Sequence, residues 1–274
     1  MNIVVVAPHL HKTGVTTIAS LIGLELSARG KSVCITHSAD KSESLYTYFN
    51  LDKSEDKTAN TSRLIKLIRS EVIQPEEFSD YCKSVTHKLD VFSVYRGVNI
   101  SNKIVNDGEE DITFDEESSL RQFITTRSPY DYVIYDIDTE IEEDNARFLI
   151  KKADVIINVF DQNILNLKQY RKDIKKINKV IKDKPQLVVL NNFDSLAGDV
   201  KKCASMMGLK QANNWHCVRY NGWIRYATNN GKLRKLYESM VKSDNRVLDI
   251  KNDIKAVVNA VQKVKVAARK NSVK

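Results

Sequence analysis

Pro8-His9-Leu10-His11-Lys12-Thr13-Gly14-Val15-Thr16-Thr17 decides how this chain folds. The stretch follows the apolar run Ile3–Ala7 and precedes a helix-patterned segment, Ile18–Arg29. A polar loop between a first strand and a first helix is where backbone N–H groups and a helix N-terminus can cradle phosphate. Such a loop carries a lysine just before its hydroxyl residue; here that position is Val15. The layout of a phosphate site is present and its main charge is not.

With 274 residues, the chain is long enough for one large domain with a full core, and we read 1–274 as that domain, ending in a basic helix and tail at about 246–274. Hydrophobic residues at 42% and charged residues at 28% fit a globular protein in water rather than a disordered or fibrous one. There is no apolar run long enough to span a membrane, and no basic and apolar leader precedes the first strand, so a cytoplasmic protein is expected. Cys34, Cys82, Cys203 and Cys217 are scattered without metal spacing and read as reduced thiols. A net charge of +8 permits contact with nucleic acid or anionic lipid without demonstrating either.

Short apolar runs alternate with longer helical patterns. Strands are expected at Asn2–Ala7, Ser32–Thr36, Leu89–Ser93, Tyr132–Asp136, Val155–Phe160 and Gln186–Leu190. Several are apolar throughout, as strands buried on both faces of a parallel sheet are. Helices are expected at about 16–29, 61–70, 75–84, 117–126, 143–152, 163–182, 196–207, 231–242 and 246–268. The alternation predicts an α/β fold: a doubly wound, mostly parallel sheet with helices on both faces, like that of P-loop NTPases. The acidic stretch Asn106–Ser119 reads as a solvated loop leading into a helix, or as a docking surface for a basic partner.

Three segments, taken in order, resemble the ParA/MinD family of deviant Walker ATPases. The family's first loop is written G-K-G-G-V-G-K-T-T; aligned without a gap, His9 and Leu10 take the places of its first Gly and signature Lys, and Gly14, Val15, Thr16 and Thr17 those of G-K-T-T. The spacing onward through Ala28-Arg29-Gly30-Lys31 to the strand Val33–Thr36 also matches, and Leu45–Leu51 is similar to the family's next helix and turn. Tyr130-Asp131-Tyr132-Val133-Ile134-Tyr135-Asp136 resembles the Walker B strand, whose final acid lies near the metal; Ile137-Asp138-Thr139 stands where the family has Pro-Pro. Ala153–Phe160 and the strand ending Leu190-Asn191-Asn192-Phe193-Asp194 resemble the family's A-D strand and its base-recognition strand. TadZ-like pilus-localisation proteins, which the chain resembles in this respect, show that the fold can carry an atypical loop. The resemblance covers roughly residues 1–230. It implies ATP and Mg²⁺ as cofactors, with Lys12, Thr13, Gly14, Val15, Thr16, Thr17 and Asn191 at the nucleotide and Thr16, Asp40 and Asp136 on the metal side.

Gly14, Thr16 and Thr17 can still supply backbone and hydroxyl contacts, but Val15 cannot supply charge. Losing one charge-assisted hydrogen bond costs about 1.5–3 kcal/mol, or roughly ten- to two-hundredfold in affinity. Lys12, three residues upstream, could compensate from within the same loop; a shifted register with His11-Lys12-Thr13 as its core would put a bulky His where Gly is needed. The family's D-x-D, whose first Asp is thought to orient the attacking water, is here His37-Ser38-Ala39-Asp40, so His37 or Ser38 stands in that place. With the lysine, the signature lysine and this acid all altered, relaxed catalysis is expected and no residue is assigned as catalytic. Asp136 reads either as the Mg²⁺-side acid or as a strand-end cap. Asn191 reads as an adenine contact, as part of a loose N-x-x-D guanine pattern, or as a turn residue. His9 and His11 form His-x-His with no third metal ligand in sight.

The segment 163–182 carries Lys168, Arg171, Lys172, Lys175, Lys176, Lys179 and Lys182 against one acid, Asp173, with Leu167, Ile174, Ile177 and Ile181 opposite. That spacing makes a cationic helix face, either solvated or in sequence-independent contact with DNA phosphates. Ile254, Val257, Val258, Val261 and Val264 make the last helix amphipathic; without Phe or Trp it reads as packed on its own domain rather than on lipid. Trp223 and Tyr226, in Arg219–Tyr226, read as interface anchors or as a buried core edge.

The leading expectation is a ParA/MinD-like positioning or partitioning protein with weak or absent ATP hydrolysis. It would act as a homodimeric scaffold for DNA segregation, conjugation or a surface machine such as a pilus. The alternatives are an active ATPase using Lys12 and a DNA-binding accessory protein that needs no nucleotide. The residues name neither the cargo nor the base.

Overall fold

The computed structural model describes residues 1–8, 13–37, 44–51, 57–93, 114–137, 141, 143–209, 214–242 and 244–272. The first apolar run forms β1 (Asn2–Val6). Its side chains alternate between two separate apolar layers, Ile3 and Val5 entering one and Val4 and Val6 the other. A strand that must satisfy a core on each side has no solvent face, which is why its sequence is apolar without alternation.

Gly14 turns the chain from β1 into α1 (Val15–Ala28). At the far end of α1, Gly30 adopts φ +77°, and the N–H groups of Gly30 and Lys31 close back on Ser27 and Leu26. That left-handed closure satisfies helix-end carbonyls and launches β2 (Val33–His37). Then come α2 (Ser44–Phe49), α3 (Lys57–Arg69), a 3-10 helix (Pro75–Tyr81), β3 (Lys83–Thr86), β4 (Leu89–Phe92), α4 (Phe114–Arg127) and β5 (Tyr132–Ile137). The second half comprises α5 (Asp144–Lys152), β6 (Val155–Phe160), α6 (Ile164–Ile181), β7 (Gln186–Phe193), α7 (Val200–Met206), β8 (Trp215–Arg219), α8 (Gly222–Asn229), α9 (Leu233–Val241) and α10 (Leu248–Ser272).

Among the described residues eight strands form one sheet in the order β3-β4-β2-β5-β1-β6-β7-β8. All pairs are parallel except the β3–β4 hairpin. Residues of α1, α2, α9 and α10 pack on one face and residues of α3 to α7 on the other. This is the doubly wound, mostly parallel architecture that the alternating pattern implies. The chain leaves β1 toward β2 on one side and places β6 on the other, so the carboxyl end of β1 is a switch point, where such sheets open a crevice.

Several expected elements change. Residues 75–84 are not one helix. Gln74 and Glu77 cap a short 3-10 turn started by Pro75, with Phe78 buried as its anchor, and Lys83–Thr86 then pairs as an edge strand. The segment 196–207 shortens to α7, begun by the Asp199 side chain accepting from the Lys202 N–H. β8 and α8 add to the expected elements: β8 is a half-polar edge strand, and α8 starts at Asn221, whose side chain accepts from the Trp223 N–H. The helix expected at 246–268 runs from Leu248 to Ser272, and its Ile254, Val257, Val258 and Val261 are buried in the domain's own core. No helix among the described residues is long and apolar enough to cross a membrane. Of the acidic stretch Asn106–Ser119, residues 106–113 lie outside the described residues.

Candidate functional site

The carboxyl ends of β1, β2, β5 and β7 gather the residues singled out from the sequence. Gly14 holds φ +90°, a left-handed conformation that L side chains avoid. A Cβ there would also come within 2.2 Å of the Asn191 amide nitrogen. Gly14 is therefore required twice, by its backbone and by its neighbour. Its carbonyl accepts from the Ile18 N–H at 3.0 Å, closing the first turn of α1.

Among the described residues no side chain caps α1, and its first turn contains no acid. The N–H groups of that turn lack helical acceptors by geometry, and the helix dipole adds partial positive charge there. Thr16 and Thr17 are half-buried in this turn. Thr13 is almost wholly buried, and among the described residues its hydroxyl has no hydrogen-bond partner. Val15 is also buried, its side chain joining the apolar layer with Ile18, Ile22 and Ile3. Lys12, His9, Leu10 and His11 lie outside the described residues.

Asn191 is buried within β7, where the register with β8 shifts between Leu190 and Phe193. Its side-chain amide donates to the Thr13 carbonyl at 2.8 Å. Asn191 and Thr13, both named from the sequence as nucleotide residues, are thus joined directly: the side chain thought of as a base contact is engaged on the loop itself.

His37 ends β2 and stands opposite Asp136 of β5 in the parallel register. Its Nδ1 lies 3.0 Å from Asp136 Oδ2, with the two side chains 1% and 0% exposed. The two atoms stand at contact distance, while the angles are not those of a directed hydrogen bond. Both Asp136 oxygens are sealed from water. Sequence reasoning placed Asp136 at a metal and His37 at a lost acid, and missed that they face each other. Only the strand order reveals this, because β5 inserts between β1 and β2. Asp40 and Ser38 lie outside the described residues. Tyr135 points to the opposite face of the sheet from Asp136; its hydroxyl is buried without a partner among the described residues, and burial pushes this phenol well above its ordinary range.

The described residues offer contacts for a phosphate group, and the Asp136 carboxylate offers none to a magnesium ion. Backbone donors, Gly14 and the unpartnered Thr13 hydroxyl offer contacts for an anion. Asp136, the described acid of the expected metal side, is enclosed with an imidazole against it. Among the described residues no group of three His, Cys, Asp or Glu side chains is placed to hold a metal.

On the same rim, Gln162 joins two loops: its amide nitrogen donates to the Gly198 carbonyl and its oxygen accepts from the Asp194 N–H. Ile164, Leu165 and Leu196 stand exposed on these two segments. Further along, Trp223 is 44% exposed, and Tyr220 and Tyr226 are likewise open. The Arg246 guanidinium lies 4.9 Å from the Trp223 ring centre and the Lys232 ammonium 5.3 Å from that of Tyr226. Away from the rim, all seven cations named on the segment 163–182, Lys168 through Lys182, are exposed, while Leu167, Ile177 and Ile181 are buried.

Neither a family model nor a curated protein matches this chain. Solved structures do. A ParA family ATPase from Chlorobium tepidum is 16% identical over 94% of this chain and 96% of its own, with a TM-score of 0.65. The septum site-determining protein MinD from Pyrococcus horikoshii, complexed with Mg-ADP, is 12% identical over 97% and 98%, with a TM-score of 0.64. A plasmid partition protein from Borrelia burgdorferi bound to AMPPNP is 16% identical over 88% and 96%, with a TM-score of 0.52. The chain has the ParA/MinD-like fold of P-loop NTPases.

Proposed function

We propose that this chain is a ParA/MinD-like positioning or partitioning protein that binds nucleotide and hydrolyses it weakly or not at all. The observation that carries this reading is the contrast at the start of α1. At the described end of the loop Gly14 holds φ +90° and Asn191 is bonded to Thr13, while the position of the charged residue is filled by a valine in the core. A phosphate held by backbone N–H groups can bind without that lysine. A transition state carrying more charge loses more from its absence.

In this reading the chain acts as a homodimeric scaffold. The apolar residues Ile164, Leu165 and Leu196 and the aromatic group Tyr220, Trp223 and Tyr226 lie along the rim around the site, where a second copy could cover both. Cargo of the DNA-segregation, conjugation or pilus type would then be positioned by the dimer. The test is sedimentation of the purified chain with and without ATP, alongside phosphate release. Nucleotide-dependent dimerisation with negligible turnover is expected; a monomer indifferent to ATP would remove nucleotide control.

A second reading is favoured by the seven exposed cations of Lys168–Lys182. They support sequence-independent contact with DNA phosphates, with or without nucleotide.

A further inference from the structure

The nucleotide-bound relatives of this fold include one complexed with Mg-ADP. In this chain the Asp136 carboxylate is closed against a histidine. We propose that His37 takes the place of a divalent cation beside Asp136, so that the site binds nucleotide without Mg²⁺. The inference rests on the nucleotide reading above and adds a ligand class to it: a metal-free nucleoside diphosphate or triphosphate.

Three observations converge. The first is the in-register pairing of His37 with Asp136 across β2 and β5, which fixes the imidazole 3.0 Å from the carboxylate through the sheet itself. This is backbone-set geometry, not a chance rotamer of a surface side chain. The second is enclosure. Mg²⁺ demands octahedral ligands at about 2.1 Å and usually keeps several waters. Both Asp136 oxygens are sealed from water, so neither a hydrated ion nor a bridging water has access to them. The third is the remaining donor set. Uncapped N–H groups at the start of α1 and the unpartnered Thr13 hydroxyl contact an anion directly and need no cation to mediate them. A buried carboxylate needs a polar neighbour, and here the sheet sets an imidazole, not a metal, against it.

The test has a metal arm and a nucleotide arm, both on the full chain. In the metal arm, thermal unfolding is followed in EDTA and in MgCl2 at matched ionic strength, without nucleotide. The wild-type Tm is expected to ignore Mg²⁺. His37→Asp, which sets two carboxylates against each other, is expected to lose stability in EDTA and to regain it as Mg²⁺ is added, since an ion that binds only the native state raises its Tm. His37→Asn, which adds no second carboxylate, serves if His37→Asp does not fold, and is expected to stay blind to Mg²⁺. In the nucleotide arm, ADP is titrated calorimetrically in EDTA and in Mg²⁺, and the same Kd is expected in both. A saturable rise of the wild-type Tm with Mg²⁺ or Mn²⁺ that disappears in Asp136→Asn would overturn the inference, as would ADP binding that requires Mg²⁺. If ADP binds under neither condition, the nucleotide reading and this inference fall together. The metal arm then still reports whether His37 closes Asp136 to cations.

Discussion

The amide of Asn191 donates to the carbonyl of Thr13 across 178 residues of sequence, joining β7 to the loop before α1. The contact is buried, and it passes so close to Gly14 that no side chain fits there. It ties the shape of the phosphate cradle to a distant strand.

Removing that tie should cost stability. Asn191→Ala leaves the Thr13 carbonyl buried and unpaired, a loss of about 1–3 kcal/mol. Gly14→Ala meets both a left-handed backbone, costing roughly 1–2 kcal/mol, and the Asn191 amide. The double variant should lose less than the sum, because the clash vanishes with Asn191. Denaturant unfolding of the three variants measures this; strict additivity would mean that the two residues do not touch.

A second buried link lies behind the site. The Tyr237 hydroxyl donates to Glu25 Oε2 at 2.5 Å, while Arg29 Nε donates to Glu25 Oε1 at 2.7 Å, and Arg29 also reaches Asn259 and Gln262 on α10. Tyr237→Phe is expected to destabilise by about 1.5–3 kcal/mol, the range for a hydrogen bond to a charged group. Glu25→Ala should cost more, since it removes both hydrogen bonds at once and leaves the Tyr237 hydroxyl without its acceptor. Equal stability of Tyr237→Phe and the wild type, by urea midpoint, would remove this network from the account.

Alkaline pH should weaken the fold. Burial pushes the Cys217 thiol up to about 11 and the Tyr46 and Tyr170 phenols up to about 12. Free thiols and phenols ionise near about 8.5 and 10. Between the unfolded and folded values the native state holds more protons than the unfolded one, so stability falls as pH rises. The contribution of Cys217 is whole below about pH 8.5 and is lost as pH climbs through about 11. The urea midpoint is expected to drop over this window, and iodoacetamide labelling of native Cys217 to be slow at neutral pH and to accelerate toward it. Rapid labelling of Cys217 at pH 7 would contradict the assignment.

The exposed face of α6 makes a separate prediction. If it contacts DNA, replacing Lys172, Lys175 and Lys179 with Glu should weaken binding to random duplexes uniformly. The slope of log K against log salt should shrink by about 1 for each phosphate that the variant no longer neutralises. Binding that is insensitive to salt would make the stripe a solvated face.

Much of this was legible in the chain because of burial. β1, β2, β5, β6 and β7 lie inside the sheet, and strands covered on both faces write themselves as apolar runs. The elements that escaped were at the edges: β3 and β8 are half-polar, and α8 is short and follows directly on β8. The loop, the Val15 substitution and the candidate residues Asn191 and Asp136 were visible as residues. Their partners were not. That Asn191 reaches Thr13, and that His37 faces Asp136, depends on strand order and register, which no local pattern encodes.

The central claim is a phosphate cradle that binds without turnover, and a calorimetric titration of the full chain with ATP tests it most directly. The account predicts a saturable isotherm whose heat signal returns to baseline after each injection. A baseline that stays displaced by continuing hydrolysis, or the absence of any isotherm, would contradict it.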